Sequence, residues 1–106
     1  MLKEVNIENG FSCDEALAYI KQVLQNNKKC CLYIIHGYGS SGKGGVIRQK
    51  VRSFLNAQLK NGKIKAVVNG EDFNIFNLKA LELKNKHKQL EQLFRVCNHG
   101  VTVVEI

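Results

Sequence analysis

Residues 30–48 read CCLYIIHGYGSSGKGGVIR, and the junction inside this stretch decides the fold. Cys30 to Ile35 is an unbroken apolar run with β-branched and aromatic members, which predicts a strand covered on both faces and central in its sheet. His36 closes that run and opens a glycine-rich turn. Beyond the turn Val46, Ile47, Val51, Phe54 and Leu55 recur at helical spacing, and Arg48 and Arg52 share another face of the same helix. A buried strand therefore passes through a glycine loop into the amino terminus of an amphipathic helix.

The loop fits two nucleotide motifs. Gly37, Gly39 and Gly42 spell G-x-G-x-x-G, and Gly37 to Lys43 spells G-x-x-x-x-G-K. The second motif needs Ser or Thr after the lysine to hold Mg²⁺, and Gly44 stands there. The first needs an acidic residue about 20 positions further on, at a strand end; residues 61–65 read NGKIK, a basic stretch. Neither nucleotide reading holds, and no nucleotide cofactor is expected. What both motifs share is physical: glycines let backbone N–H groups approach an anion, and a helix amino terminus adds a positive dipole end. Gly37 and Gly39 would admit a phosphate, and Lys43, Arg48 and Arg52 would neutralise it. His36, at the exit of the buried strand, can donate to a phosphate or serve as general acid or base. The bland alternatives are a loop that merely turns and a histidine that bonds a nearby backbone group. His87 and His99 read as surface or structural.

Working outward, Val5 to Ile7 is a short β-prone segment ended by Asn9-Gly10. Ser12 with Glu15 three residues later forms a capping box, so a helix should start there, with Leu17, Ile20 and Leu24 on its apolar stripe. Residues 63–68 alternate into a further strand between two Asn-Gly turns. In residues 72–95, Phe76, Leu83 and Leu90 recur at seven positions, which reads as one long helix or two short ones packed on the core. Lys79, Lys84, Lys86 and Lys88 occupy its other faces, against Glu82 and Glu91. The closing run VTVVEI, residues 101–106, predicts a last strand inside the sheet. The expected fold is a two-layer α/β sandwich on a mixed sheet of about four strands, with a helical insertion at about 72–95.

The chain's 106 residues suit a single domain with one core. Its formal charge of +7 creates a field that collects polyanions, so nucleic acid is the expected partner class. Cys13, Cys30, Cys31 and Cys97 contain no C-x-x-C pair, and Cys30 and Cys31 would face opposite sides of a strand, so neither zinc nor a disulfide framework is expected. No apolar run approaches the roughly 20 residues a membrane helix needs. MLKEVNIENG lacks the apolar core of a secretion signal. The expected location is cytoplasmic, without membrane contact.

Beyond the physics, HGYGSSGKGGVIR, the apolar strand before it, the DEAL of residues 14–17 and GVTVVEI at residues 100–106 together resemble the Smr (small MutS-related) family. His36, Gly37 and Gly39 fill the family's HGxG, and Ile47-Arg48 fills its Leu-Arg position. The resemblance implies an α/β sandwich laid out like the carboxy-terminal domain of translation initiation factor three. It implies DNA or RNA binding through the phosphate backbone, with endonuclease activity in some members and ribosome-linked roles in others. A divalent metal such as Mg²⁺ would enter only with a nuclease reading. The family's first strand often carries LDLHG, whose Asp and His serve cleavage. The matching segment here is VNIENG, which places Asn9 or Glu8 at the histidine position and leaves Glu8 as the substitute base. The alternative function is a non-catalytic module that docks on protein or ribosome.

Overall fold

The computed structural model describes residues 2–8, 10–37 and 43–106, with residues 43 and 44 as backbone only. Four strands, β1 (Leu2–Asn6), β2 (Cys31–Ile35), β3 (Ala66–Asn69) and β4 (Val101–Glu105), form one sheet in the order β1-β2-β4-β3. β1 runs parallel to β2, and β4 runs antiparallel to both β2 and β3. β1, β2 and β3 therefore deliver their carboxyl ends to the edge of the sheet where β4 begins. Ligands of open α/β sheets bind beyond that edge.

β2 and β4 occupy the centre, as their unbroken apolar runs require. Leu32, Ile34 and Val104 point to one face and meet Val5, Ile7, Ile20, Val51 and Leu55. That face is covered by α1 (Cys13–Asn26) and α2 (Lys43–Lys60). Ser12 caps α1: its hydroxyl accepts the Glu15 N–H at 3.2 Å, and the Glu15 carboxylate accepts the Ser12 N–H at 3.0 Å. Burying each of the large aliphatic side chains in this layer stabilises the fold by roughly 1.5–3 kcal/mol.

The opposite face of the sheet presents Cys31, Val68, Val101 and Val103. It is covered by the chain between β3 and β4, which forms a 3-10 turn (Gly70–Asp72), α3 (Leu78–Lys86), a second 3-10 turn (Lys88–Glu91) and the single-turn α4 (Gln92–Arg95). Ala80, Leu83, Leu90 and Leu93 supply the contact, so the heptad at Leu83 and Leu90 does pack on the core. Phe76 does not: it is 89% exposed, beside Ile75 and Leu78. It precedes α3, whose amino cap is Asn77, so the helical period does not extend back to it. Lys79 and Lys86 close on Glu105 at 2.8 and 2.9 Å and tie α3 to the end of β4. Cys30 and Cys31 face opposite layers, and among the described residues no helix is long and apolar enough to cross a membrane.

Candidate functional site

The carboxyl edge of the sheet gathers Glu8 after β1, His36 and Gly37 after β2, Glu71 after β3, and the turn 98–100 before β4. Two backbone clasps fix it. The Gly100 carbonyl accepts N–H groups from both His36 and Gly37, at 3.0 and 3.1 Å. Gly37 has φ +84°, a region that glycine enters without steric cost. Gly70 lies so close to the turn before β4 that a Cβ there would collide with the Asn98 carbonyl oxygen and approach that of Val101 to 2.9 Å.

His36, read from the sequence as standing at the exit of a buried strand, is 1% exposed. Its Nδ1 lies 3.0 Å from the Gly37 carbonyl and its Nε2 lies 2.9 Å from Thr102 Oγ1. A carbonyl can only accept, so Nδ1 carries the ring proton. Arg52 Nε donates to Thr102 Oγ1 at 2.9 Å, which leaves the threonine proton directed at His36 Nε2. The chain of donors then runs Arg52, Thr102, His36, Gly37, with a neutral imidazole in it. Burial pushes the His36 pKa down to about 4; the bond to Gly37 opposes this, and the charges of Arg52 and Arg48 add to it. No ring nitrogen is left over for a substrate in this arrangement.

Arg52, expected as a phosphate ligand, is held by the protein itself. Its Nη1 and Nη2 clamp the Glu71 carboxylate at 2.8 and 2.7 Å, and Nη2 also reaches the carbonyls of Val101 and His99 at 3.1 and 3.3 Å. Burial raises the Glu71 pKa, but the Arg52 hydrogen bonds and charge outweigh it and hold the carboxyl below its usual range. Such a bidentate pair is geometrically selective. Arg48 is half-buried on α2, near enough to His36 for its charge to act on the imidazole.

Glu8 lies exposed beside the glycine turn, with Cγ and Oε2 at 3.3 and 3.4 Å from the position a Gly37 Cβ would take. The candidate base thus borders the loop. Gly39 lies outside the described residues, as does Asn9; Lys43 opens α2, and its side chain is likewise outside them. Among the described residues no group of three or more His, Cys, Asp or Glu is arranged to hold a metal ion.

Sequence reasoning overlooked Thr102, Glu71 and Gly100. One signal existed: Thr102 is the lone hydroxyl in the run VTVV, read as a strand inside the sheet, where it is fully buried, and a buried hydroxyl demands a partner. Glu71 carried no such mark.

Comparison with known proteins adds one match. The family model described as the Smr domain covers residues 9–72, from the turn after β1 through the 3-10 turn that holds Glu71. No curated protein and no solved structure matches the chain.

Proposed function

The chain belongs to the Smr domain family, and from that premise we propose that it binds nucleic acid through the phosphate backbone at the carboxyl edge of β1, β2 and β3. The observation that carries this reading is the glycine turn at Gly37, clasped to Gly100 and leading toward α2 in a domain of net charge +7. Lys43 and Arg48 supply the phosphate contacts, because Arg52 is already committed to Glu71. His36 is a positioning residue: its Nδ1 proton fixes the Gly37 carbonyl, where the chain leaves β2. Where cleavage accompanies binding, the carboxylate of Glu8 takes the role of base.

Anisotropy titration of labelled single- and double-stranded RNA and DNA tests this reading. Lys43→Ala and Arg48→Ala should each weaken binding and lower the slope of log K against log salt by about one. Binding by the double variant at wild-type strength and slope would sink the proposal. Glu8→Gln should leave binding intact and stop any cutting that the wild type shows, with and without chelator.

A second reading has its own support. Ile75, Phe76 and Leu78 are 69, 89 and 82% exposed on the helical segment, beyond the end of the family match. A non-catalytic module that docks on protein or ribosome would use such a surface, and its binding would resist salt.

A further inference from the structure

Cys97, His99 and Glu71 form a second constellation beside the phosphate-facing loop. Cys97 is exposed, and its Sγ lies 3.4 Å from His99 Nε2. The other ring nitrogen, Nδ1, lies 3.4 Å from Glu71 Oε2. A nucleophile, a base within reach and a third group that orients the base are the parts of an activated thiol. The three side chains come from two separate segments, the turn before β4 and the turn after β3. The Gly70 contact and Arg52, which bonds both the Glu71 carboxylate and the His99 carbonyl, hold these segments together, and the bond from Gly100 N–H to Asn98 Oδ1, at 2.9 Å, stiffens the turn before β4. Glu71 is itself fixed by the Arg52 clamp, so the base is oriented from a rigid support.

We propose that Cys97 is a reactive thiol that undergoes exchange with low-molecular-weight disulfides, with His99 as base and Glu71 as the group that orients it. His99 Nε2 takes the thiol proton, and the thiolate attacks one sulfur of the disulfide. A new bond from Sγ to that sulfur forms as the original S–S bond breaks, and the electron pair leaves on the second sulfur. That sulfur takes the proton back from His99. Cys97 ends in a mixed disulfide, one equivalent of small thiol is released, and no other oxidant is consumed. The positive field of the domain favours anionic disulfides.

The remaining cysteines provide internal controls. Cys31 is buried, and burial, with Glu105 and Cys30 adding to it, pushes its thiol up to about 11. Cys13 and Cys30 are half-buried against the α1/α2 core.

The test uses the full chain without nucleic acid, so it succeeds or fails independently of the binding proposal. Dithiobis(nitrobenzoate) is the probe, release of its coloured thiolate gives the rate, and peptide mass mapping identifies the labelled cysteine. The assay runs at high salt, which removes the general attraction of a basic protein for an anionic reagent. At neutral pH Cys97 should react about tenfold faster in the native protein than in the same chain unfolded in urea. His99→Asn, a change at an exposed side chain, should bring the native rate down to about that of the unfolded chain. A native rate no higher than the unfolded one, an undiminished rate in His99→Asn, or a fast phase that survives Cys97→Ser would each overturn the proposal.

Discussion

Thr102→Val removes one hydroxyl at nearly constant volume from a residue with no solvent exposure. It strands two polar groups at once. His36 Nε2 loses its donor, and Arg52 Nε loses its acceptor. A buried group left without a partner costs about 1–3 kcal/mol. The Arg52 side chain is 15% exposed, so water recovers part of its share, and the sum expected is about 2–4 kcal/mol. For a domain of this size that is a fall of about 10–20 °C in Tm. Thr102→Ser keeps the hydroxyl and loses a methyl, at about 1 kcal/mol, so the order of stability should be wild type, Ser, Val. Urea unfolding of the three proteins measures this, and ¹⁵N spectra of the imidazole report whether the proton sits on Nδ1. A Val variant as stable as the Ser variant, or a wild-type His36 protonated on Nε2, refutes the donor chain on which the positioning role rests.

The remaining predictions concern acid, close packing and the exposed trio. His36 is neutral when folded, with a pKa of about 4 against an ordinary 6.5; the unfolded chain therefore binds the extra proton between these values, and stability should fall by about 3 kcal/mol as pH drops from 6.5 to 4. Carboxylates with lowered pKa, Glu71 and Glu105, yield their share only below about 4.5, and burial lowers the His87 pKa as well, so the difference between wild type and His36→Gln in urea midpoints from pH 6.5 to 5 isolates His36, and the variant should show the shallower fall. Gly70→Ala meets backbone oxygens and should cost about 3 kcal/mol, whereas Gly10→Ala, at φ +82° with open space around it, should cost about 1–2 kcal/mol; equal thermal melts for the two would contradict the close crossing. Leu83→Ala should cost about 2–5 kcal/mol and Phe76→Asp less than about 0.5 kcal/mol, since one is buried and the other exposed; a large loss from Phe76→Asp would place it in the core.

What could be read from the sequence was whatever depends on local pattern. The Ser12 and Glu15 pair announced α1, and the unbroken runs of β2 and β4 announced the two central strands, because burial on both faces removes alternation. The ends of the weaker elements were harder to read. β3 starts at Ala66 rather than at Lys63: the Lys65 N–H still bonds the Glu105 carbonyl at 2.7 Å, but β4 ends at Glu105 and carries the ladder no further. Phe76 fell on the heptad by spacing alone, and periodicity cannot say where a helix is capped. The site was legible as a loop and illegible as a network. His36 and Thr102 are 66 residues apart in the chain, and Arg52 meets Glu71 across two elements. Nothing in local sequence says that an arginine on the face of a helix is already occupied.

That separation also explains why HG at residues 36–37 and GVT at residues 100–102 read together as one signature. The Gly100 carbonyl takes both N–H groups of the first pair. The Gly37 Cα lies 3.3 Å from where a Gly100 Cβ would stand, so a side chain at residue 100 would press on the turn that residue 37 makes. Two residues further on, Thr102 sets the tautomer of the histidine that precedes that turn. Two residues of the second motif thus fix atoms of the first: Gly100 its amides, and Thr102 its ring proton. A histidine held this way has both ring nitrogens engaged by the protein itself, and on the proposed reading its effect on a bound phosphate would pass through the carbonyl of Gly37. Proton transfer to a substrate at this edge would then fall to other groups, and the exposed carboxylate of Glu8, on the side of β1, stands beside the turn.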